Sequence, residues 1–182
     1  YVSPILVKRG DKKFIVGVTG DYIIGVNAEN GKIEWKFLYK EISEKTTDIH
    51  AVTPIYHDGY IYVTSGYDHG GAMLKLSEDG KSVSLIWVDL TLDTHHGGVV
   101  LVDGYIYGSN WINNDQGNWV CVDWNSGKAI YEKEWYNKGP IISADGMLYC
   151  YEEKTGNLGL VKASPEDFIV VSSFKITQGK GP

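Results

Sequence analysis

The sequence predicts an all-β protein made of four copies of one antiparallel four-stranded unit. Three observations carry this expectation: apolar and polar residues alternate along short runs, Gly-rich turns separate the runs, and one segment recurs three times almost unchanged. The recurring segment occupies residues 54–62, 99–107 and 141–149, each time as two apolar-rich runs joined by Asp-Gly. Asp-Gly is a strong signal for a two-residue hairpin, because both central residues of that turn need positive φ. Asp58, Asp103 and Asp145 stand 45 and 42 residues apart. A more divergent first copy runs from Pro4 through the charged turn Arg9-Gly10-Asp11-Lys12-Lys13 to Val16.

Each copy continues in the same way. A second turn follows the hairpin, at residues 19–21, 67–71, 113–118 and 154–157. A third short strand comes next, at 22–26, 72–76, 119–122 and 158–163. A third turn and a fourth strand close the unit, most clearly in 27–35 and 123–131, with looser forms at 77–87 and 164–174. Four short strands per unit of about 45 residues is the pattern of a β-propeller blade. The blades then run approximately 1–43, 44–89, 90–136 and 137–182. No window holds a 3.6-residue apolar period for long; the most helix-like stretch is the polar connection 40–47.

Composition narrows the function classes. Thirteen Tyr and six Trp stand beside four Phe, which suits half-buried strands whose aromatic rings keep a polar atom near water or backbone. The net charge of −6 and the scattered basic residues give no surface for a phosphate backbone, so no nucleic acid partner is expected. No apolar run reaches the roughly 18 residues of a membrane span, so no transmembrane segment is expected either. Tyr1-Val2-Ser3-Pro4 reads as strand rather than leader, and the chain reads as part of something longer. Cys121 and Cys150 lie in no metal-binding spacing and read as buried thiols.

The fourth-strand turn resembles the repeat of the pyrroloquinoline-quinone (PQQ)-like propellers. That repeat carries Asp, two variable residues, Thr-Gly, and a Trp four residues after the Gly. Asn27, Asn30, Gly31 and Trp35 fit the frame, as do Asp123, Ser126, Gly127 and Tyr131, while Ser77, Gly80 and Trp87 fit it after a short insertion. The resemblance implies that Trp35, Trp87, Tyr131 and Phe174 dock each blade on its neighbour, with the indole N–H reaching a backbone carbonyl. It also implies a periplasmic or extracellular protein, exported and bacterial. Quinoprotein dehydrogenases of this type carry a vicinal Cys-Cys pair, a Trp beneath the quinone and a Glu/Asn/Asp calcium site. The chain has no Cys-Cys, so no cofactor is expected, and PQQ with calcium belongs only to an alternative in which those residues lie elsewhere.

Histidines form the one pattern that the scaffold does not explain. His50 and His95 each stand eight residues before a repeat Asp and two after an acid, in Asp48-Ile49-His50 and Asp93-Thr94-His95, with His96 adjacent. In a propeller this position leads into the innermost strand, where imidazoles and carboxylates suit a metal or a polar ligand; lining of a wet channel is the plainer alternative. His57 and His69 read as solvated turn residues. Residues 113–118 lack the terminal bidentate Glu of a calcium loop and read as a hairpin turn. Trp111, Trp119 and Trp124 read as loop aromatics able to stack on a sugar or a partner protein. No nucleophile–base spacing and no phosphate-cradling loop is present.

The expected role is therefore a non-catalytic scaffold for a protein, small-molecule or sugar ligand. The alternatives are half of a quinoprotein-like dehydrogenase and a carbohydrate-binding or carbohydrate-processing propeller. A partial ring would also expose two blade faces, which favours self-association.

Overall fold

A computed structural model describes residues 2–44 and 49–176 of the chain. It contains four antiparallel sheets of four strands each, and within each sheet the strands lie in chain order. Blade 1 is β1 (Ile5–Arg9), β2 (Lys12–Val18), β3 (Tyr22–Asn27) and β4 (Ile33–Leu38). Blade 2 is β5 (Ile55–His57), β6 (Tyr60–Thr64), β7 (Gly71–Leu76) and β8 (Val83–Asp89). Blade 3 is β9 (Val99–Val102), β10 (Tyr105–Ser109), β11 (Trp119–Asp123) and β12 (Ala129–Lys133). Blade 4 is β13 (Ile141–Ala144), β14 (Met147–Tyr151), β15 (Asn157–Lys162) and β16 (Val170–Lys175).

The turns form for the reasons the sequence suggests. Asp58-Gly59, Asp103-Gly104 and Asp145-Gly146 all hold positive φ at both positions, as a primed two-residue hairpin requires. In the third turns Gly31, Gly80 and Gly127 share φ +72, a left-handed conformation that glycine adopts without steric cost. Asp123 closes its turn by accepting the N–H groups of Asn125 and Ser126. The helix-like connection resolves into one 3-10 turn, Tyr39–Glu41; residues 45–48, including Asp48, lie outside the described part. Among the described residues no helix is long and apolar enough to cross a membrane.

The bulges fix the equivalence of the blades. Strand pairing shifts register between Gly25 and Val26, Met73 and Leu74, Cys121 and Val122, and Leu160 and Val161. The residues before the shift sit opposite Trp35, Trp87, Tyr131 and Ser172. Ser172, not Phe174, therefore occupies the docking position of blade 4. Phe174 pairs with Leu158, two places along the strand, on the same face as Ser172 by strand alternation. It is 61% exposed, with no described blade packed over that face.

Each blade thus has a forward face, toward the next blade, and a backward face. Trp35 and Phe37 from blade 1 pack with Ile61, Val63 and Leu74 from blade 2. Tyr62 and Met73 from blade 2 pack with Ile106, Val120 and Val122 from blade 3, against which Trp87 is half-buried. Tyr107, Cys121 and Tyr131 from blade 3 pack with Leu148, Cys150 and Val161 from blade 4. Small residues admit the aromatic rings: a Cβ on Gly80 would lie 2.1 Å from the Phe14 ring, and one on Gly127 would lie 2.5 Å from the Trp87 indole. The docking expectation needs one correction besides Phe174. The indole nitrogens of Trp35 and Trp87 are buried with no hydrogen-bond partner, so these rings act through packing rather than through a carbonyl.

Strand order sets where function can be built. The hairpins between first and second strands and the third turns share one end of the sheets, here the lower rim. The second turns and the inter-blade connections share the other end, the upper rim.

Candidate functional site on the upper rim

Most of the histidines and Trp111 belong to the upper rim, where the four blades differ most. The connection from β8 to β9 carries Asp93, buried beneath the second turn of blade 2. Its Oδ2 accepts the Asp68 N–H at 2.7 Å and its Oδ1 accepts the Gly70 N–H at 2.8 Å. These bonds hold Tyr67 and Asp68 at φ +59 and +62. Two successive non-glycine residues in that region are costly and persist only when their surroundings impose it. Burial pushes the Asp93 carboxyl above its ordinary range, against the pull of the two N–H bonds.

The strained turn presents Tyr67 to two other loops. Its ring stands edge-on to His95 at 4.5 Å and tilted on Trp111 at 5.2 Å. Gly66 makes the approach possible, since a Cβ there would lie 2.7 Å from the His95 Cα. The Trp111 N–H donates to the Asp93 carbonyl at 2.7 Å, and its indole N–H to Asn114 Oδ1 at 3.2 Å. His95 Nδ1 and His96 Nδ1 stand 2.9 Å apart, within hydrogen-bond distance, and His96 Nε2 meets Glu153 Oε2 at 2.8 Å. Burial, then His96 and Lys138, hold the His95 imidazole below its usual range. Lys138 lies 3.5 Å from Glu153 and donates to the carbonyls of Asn113 and Asn114. One network thus ties the upper loops of blades 2, 3 and 4.

Beside Trp111 opens a cleft of about 430 Å³, lined by Asp68, Leu90, Asn110, Ile112 and Glu132 among others. Glu132 Oε1 accepts from the side-chain amides of Asn110 and Asn118 at 2.8 and 3.0 Å, and the residue is exposed to solvent. The cleft therefore joins an indole wall to a solvent-facing carboxylate. Its apolar parts suit a ligand's C–H face and its oxygens suit a ligand's hydroxyl donors.

The expected site residues separate into two groups. His95, His96 and Trp111 meet in this network. His50 does not join them: its ring is buried, bonded to Ser65 Oγ at 2.7 Å and the Gly20 carbonyl at 3.1 Å, and lies against Tyr39 and His69. Among the described residues no three His, Cys, Asp or Glu side chains gather in a metal-binding group. His69 is a correction, since it is buried rather than solvated, with Nδ1 on the Gly66 carbonyl at 2.8 Å. The left-handed backbone at Tyr67 and Asp68 folds the turn inward over it. His57 stays exposed, edge-on to Trp124.

Trp119 and Trp124 are further corrections. Trp119 is 1% exposed, stacked on Phe168 and donating to the Trp135 carbonyl, and Trp124 is buried between blades 2 and 3. Trp119 is turned into the junction with blade 4, whereas Trp124, though mostly buried, also lines a lower-rim cleft of about 490 Å³ with His57, Tyr60 and Asp103. Residues 113–118 do form a tight turn, with Asn113 bridged to Gln116 and its side chain accepting the Asp115 N–H. Tyr67 and Glu132 were not singled out by the sequence. An aromatic residue inside a Gly-rich turn, as in Gly66-Tyr67-Asp68-His69-Gly70, is the signal that marks the first; a carboxylate on an outer strand gives none.

Cys121 and Cys150 are free, buried thiols on adjacent blades. Burial pushes Cys121 up to about 12 and Cys150 higher still, so both are packing groups at neutral pH. Neither belongs to a vicinal pair.

No family model matches the chain, and no curated protein matches it. Solved structures do. BamB from Moraxella catarrhalis superimposes with a TM-score of 0.62 at 15% identity, over 93% of this chain and 47% of BamB. Hsv2p of Kluyveromyces lactis gives 0.60 at 13%, over 99% and 60%. A europium-containing methanol dehydrogenase gives 0.59 at 10%, over 94% and 41%. The chain spans about half the length of BamB and three fifths or less of the other two. At these identities the likeness shows the fold alone: four antiparallel blades of a β-propeller.

Proposed function

We propose that this chain is a binding scaffold whose ligand sits on the upper rim, in the cleft walled by Trp111. The observation that carries the reading is the Asp93 brace. It holds Tyr67 and Asp68 in a strained backbone and so fixes the Trp111 wall beside the solvent-facing Glu132 carboxylate. Strain of this kind has no role in closing the turn, since the other three blades close theirs without two successive left-handed non-glycine residues. A hydroxyl-rich ligand such as a sugar ring matches the cleft: its C–H face stacks on the indole, and its hydroxyls donate to the Glu132 carboxylate and Asp68. The role requires neither a nucleophile nor a quinone.

Titration calorimetry with a panel of mono- and oligosaccharides tests the proposal. Wild-type protein should release heat with at least one member. Trp111→Ala should abolish that heat and leave the unfolding midpoint within a few degrees. Heat unchanged in Trp111→Ala, or none with any member of the panel, would remove the cleft as the ligand site.

A further inference from the structure

Two successive junctions differ at the lower rim, and the difference leaves a cleft in the second. The first hairpin of blade 1 reads Arg9-Gly10-Asp11-Lys12, and that of blade 2 reads His57-Asp58-Gly59-Tyr60. Arg9 pairs with Lys12 across its hairpin as His57 pairs with Tyr60. An imidazole and a phenol thus stand where blade 1 has two cations. At the junction of blades 1 and 2 the Arg9 guanidinium lies over the blade 2 hairpin and pairs with Glu78 of the third turn. A Cβ on Gly59 would lie 2.6 Å from Arg9 Nη1, and Gly59 is buried. Lys12 donates to the Asp79 carbonyl of the same third turn at 3.1 Å.

At the junction of blades 2 and 3 no described side chain fills that place. His57 is shorter than Arg9 and stands edge-on to Trp124, with 6.0 Å between ring centroids. Gly104, the equivalent of Gly59, is exposed, and no described atom lies within 4 Å of a Cβ built on it. The lower-rim cleft of about 490 Å³ opens here, walled by Tyr60 and Trp124 and edged by Asp58 and Asp103. Both acids are exposed turn residues. Aromatic faces attract cations, and a guanidinium also stacks flat on them and binds carboxylates through paired N–H donors. The Tyr60 ring meets one cation within the chain already, the Lys75 ammonium at 5.6 Å from its centroid.

We infer that this cleft binds a guanidinium group supplied from outside the chain, in the place that Arg9 fills one junction earlier. The group lies over Gly104, against the part of Trp124 that lines the cleft, and donates to Asp58 or Asp103. An arginine side chain of a partner peptide and a small free guanidinium compound share this chemistry.

NMR titration of isotope-labelled protein with N-acetylarginine amide, read at the Trp124 indole and the Gly104 amide, tests the inference. Both signals should shift saturably. N-acetylcitrulline amide, which keeps the shape and lacks the charge, should move neither at the same concentrations. Asp58→Asn combined with Asp103→Asn should weaken binding about tenfold or more, the loss expected for hydrogen bonds to a charged group. The fold should persist, because Asn-Gly satisfies the same hairpin turn. His57→Arg should abolish binding and move the Gly104 signal toward its bound position, since the cleft is then filled as Arg9 fills its own. A blocked Gly-Arg-Gly peptide separates the two sources: tighter binding than N-acetylarginine amide assigns a peptide arginine, and equal binding a small free cation. No shift at millimolar probe, equal shifts with the citrulline probe, or binding undiminished by the two Asn substitutions would overturn the inference. Trp111→Ala should leave all of these results unchanged, which separates them from those of the upper-rim cleft.

Discussion

The three inner junctions and the two outer faces are built on one residue pattern and end in opposite states. Ile61 and Ile106 are buried while Ile15 is not, and Tyr62 and Tyr107 are buried while Tyr149 is half-exposed. Local sequence does not separate these sets, since each side chain points out of its pleat at an equivalent place. The neighbour separates them. In a quasi-one-dimensional repeat protein, stability resides in the interfaces between units as much as in the units themselves. A residue's contribution here is therefore set by which junction it meets.

The sharpest test compares aromatic residues on the two kinds of face. Trp35→Ala should cost about 3–5 kcal/mol in equilibrium urea denaturation, the range for a large aromatic removed from a core. Its buried indole N–H has no partner, so the loss is one of packing alone. Phe174→Ala should cost under about 0.5 kcal/mol, since its ring is 61% exposed. Similar losses at the two positions would break the comparison.

The glycines of the third turn give a finer version, because conformation is held constant. Gly31, Gly80 and Gly127 share φ +72, so replacement by Ala imposes the same left-handed strain, about 1 kcal/mol or somewhat more. At Gly127 the new methyl also meets the Trp87 indole, which adds about 1–3 kcal/mol of overpacking. Gly127→Ala should be the more destabilising by that increment. Equal thermal midpoints for Gly31→Ala and Gly127→Ala would show that the aromatic ring simply moves aside.

The sequence carried the lower rim almost whole, because Asp-Gly hairpins and Gly third turns are set by local backbone preference. The upper rim was legible only in part. His95, His96 and Trp111 stood out as residues, yet their meeting depends on Asp93 reaching across to the turn of the preceding blade, which no local pattern encodes. His69 was misread because two left-handed residues before it fold the turn inward. Trp119 was misread because alternation tells that two faces exist but not that both are covered in an inner blade, and Trp124 because nothing local shows that its turn folds against blade 2. Phe174 was misplaced because the irregular segment before β16 hides the register, which only the bulge after Leu160 reveals.

The smallest effect concerns a feature of blade 4 that should not depend on cover at all. Glu152 closes the second turn of that blade, accepting N–H bonds from Lys154 and Thr155 and a 2.5 Å hydroxyl bond from Thr155. Burial opposes its ionisation, but these bonds outweigh it and hold the carboxyl below its usual range. A carboxyl depressed in the folded state adds stability above its unfolded pKa, about 4.3 for Glu, and that stability fades as pH falls through the folded value. Glu152→Gln should thus lower stability at pH 7 by about 1–2 kcal/mol, as for hydrogen bonds to a charged group, and the deficit should shrink below pH 4. Denaturation of wild type and Glu152→Gln at pH 7 and pH 3 measures this. A deficit of equal size at the two pH values would mean that the charge of the carboxylate contributes nothing to closing the turn.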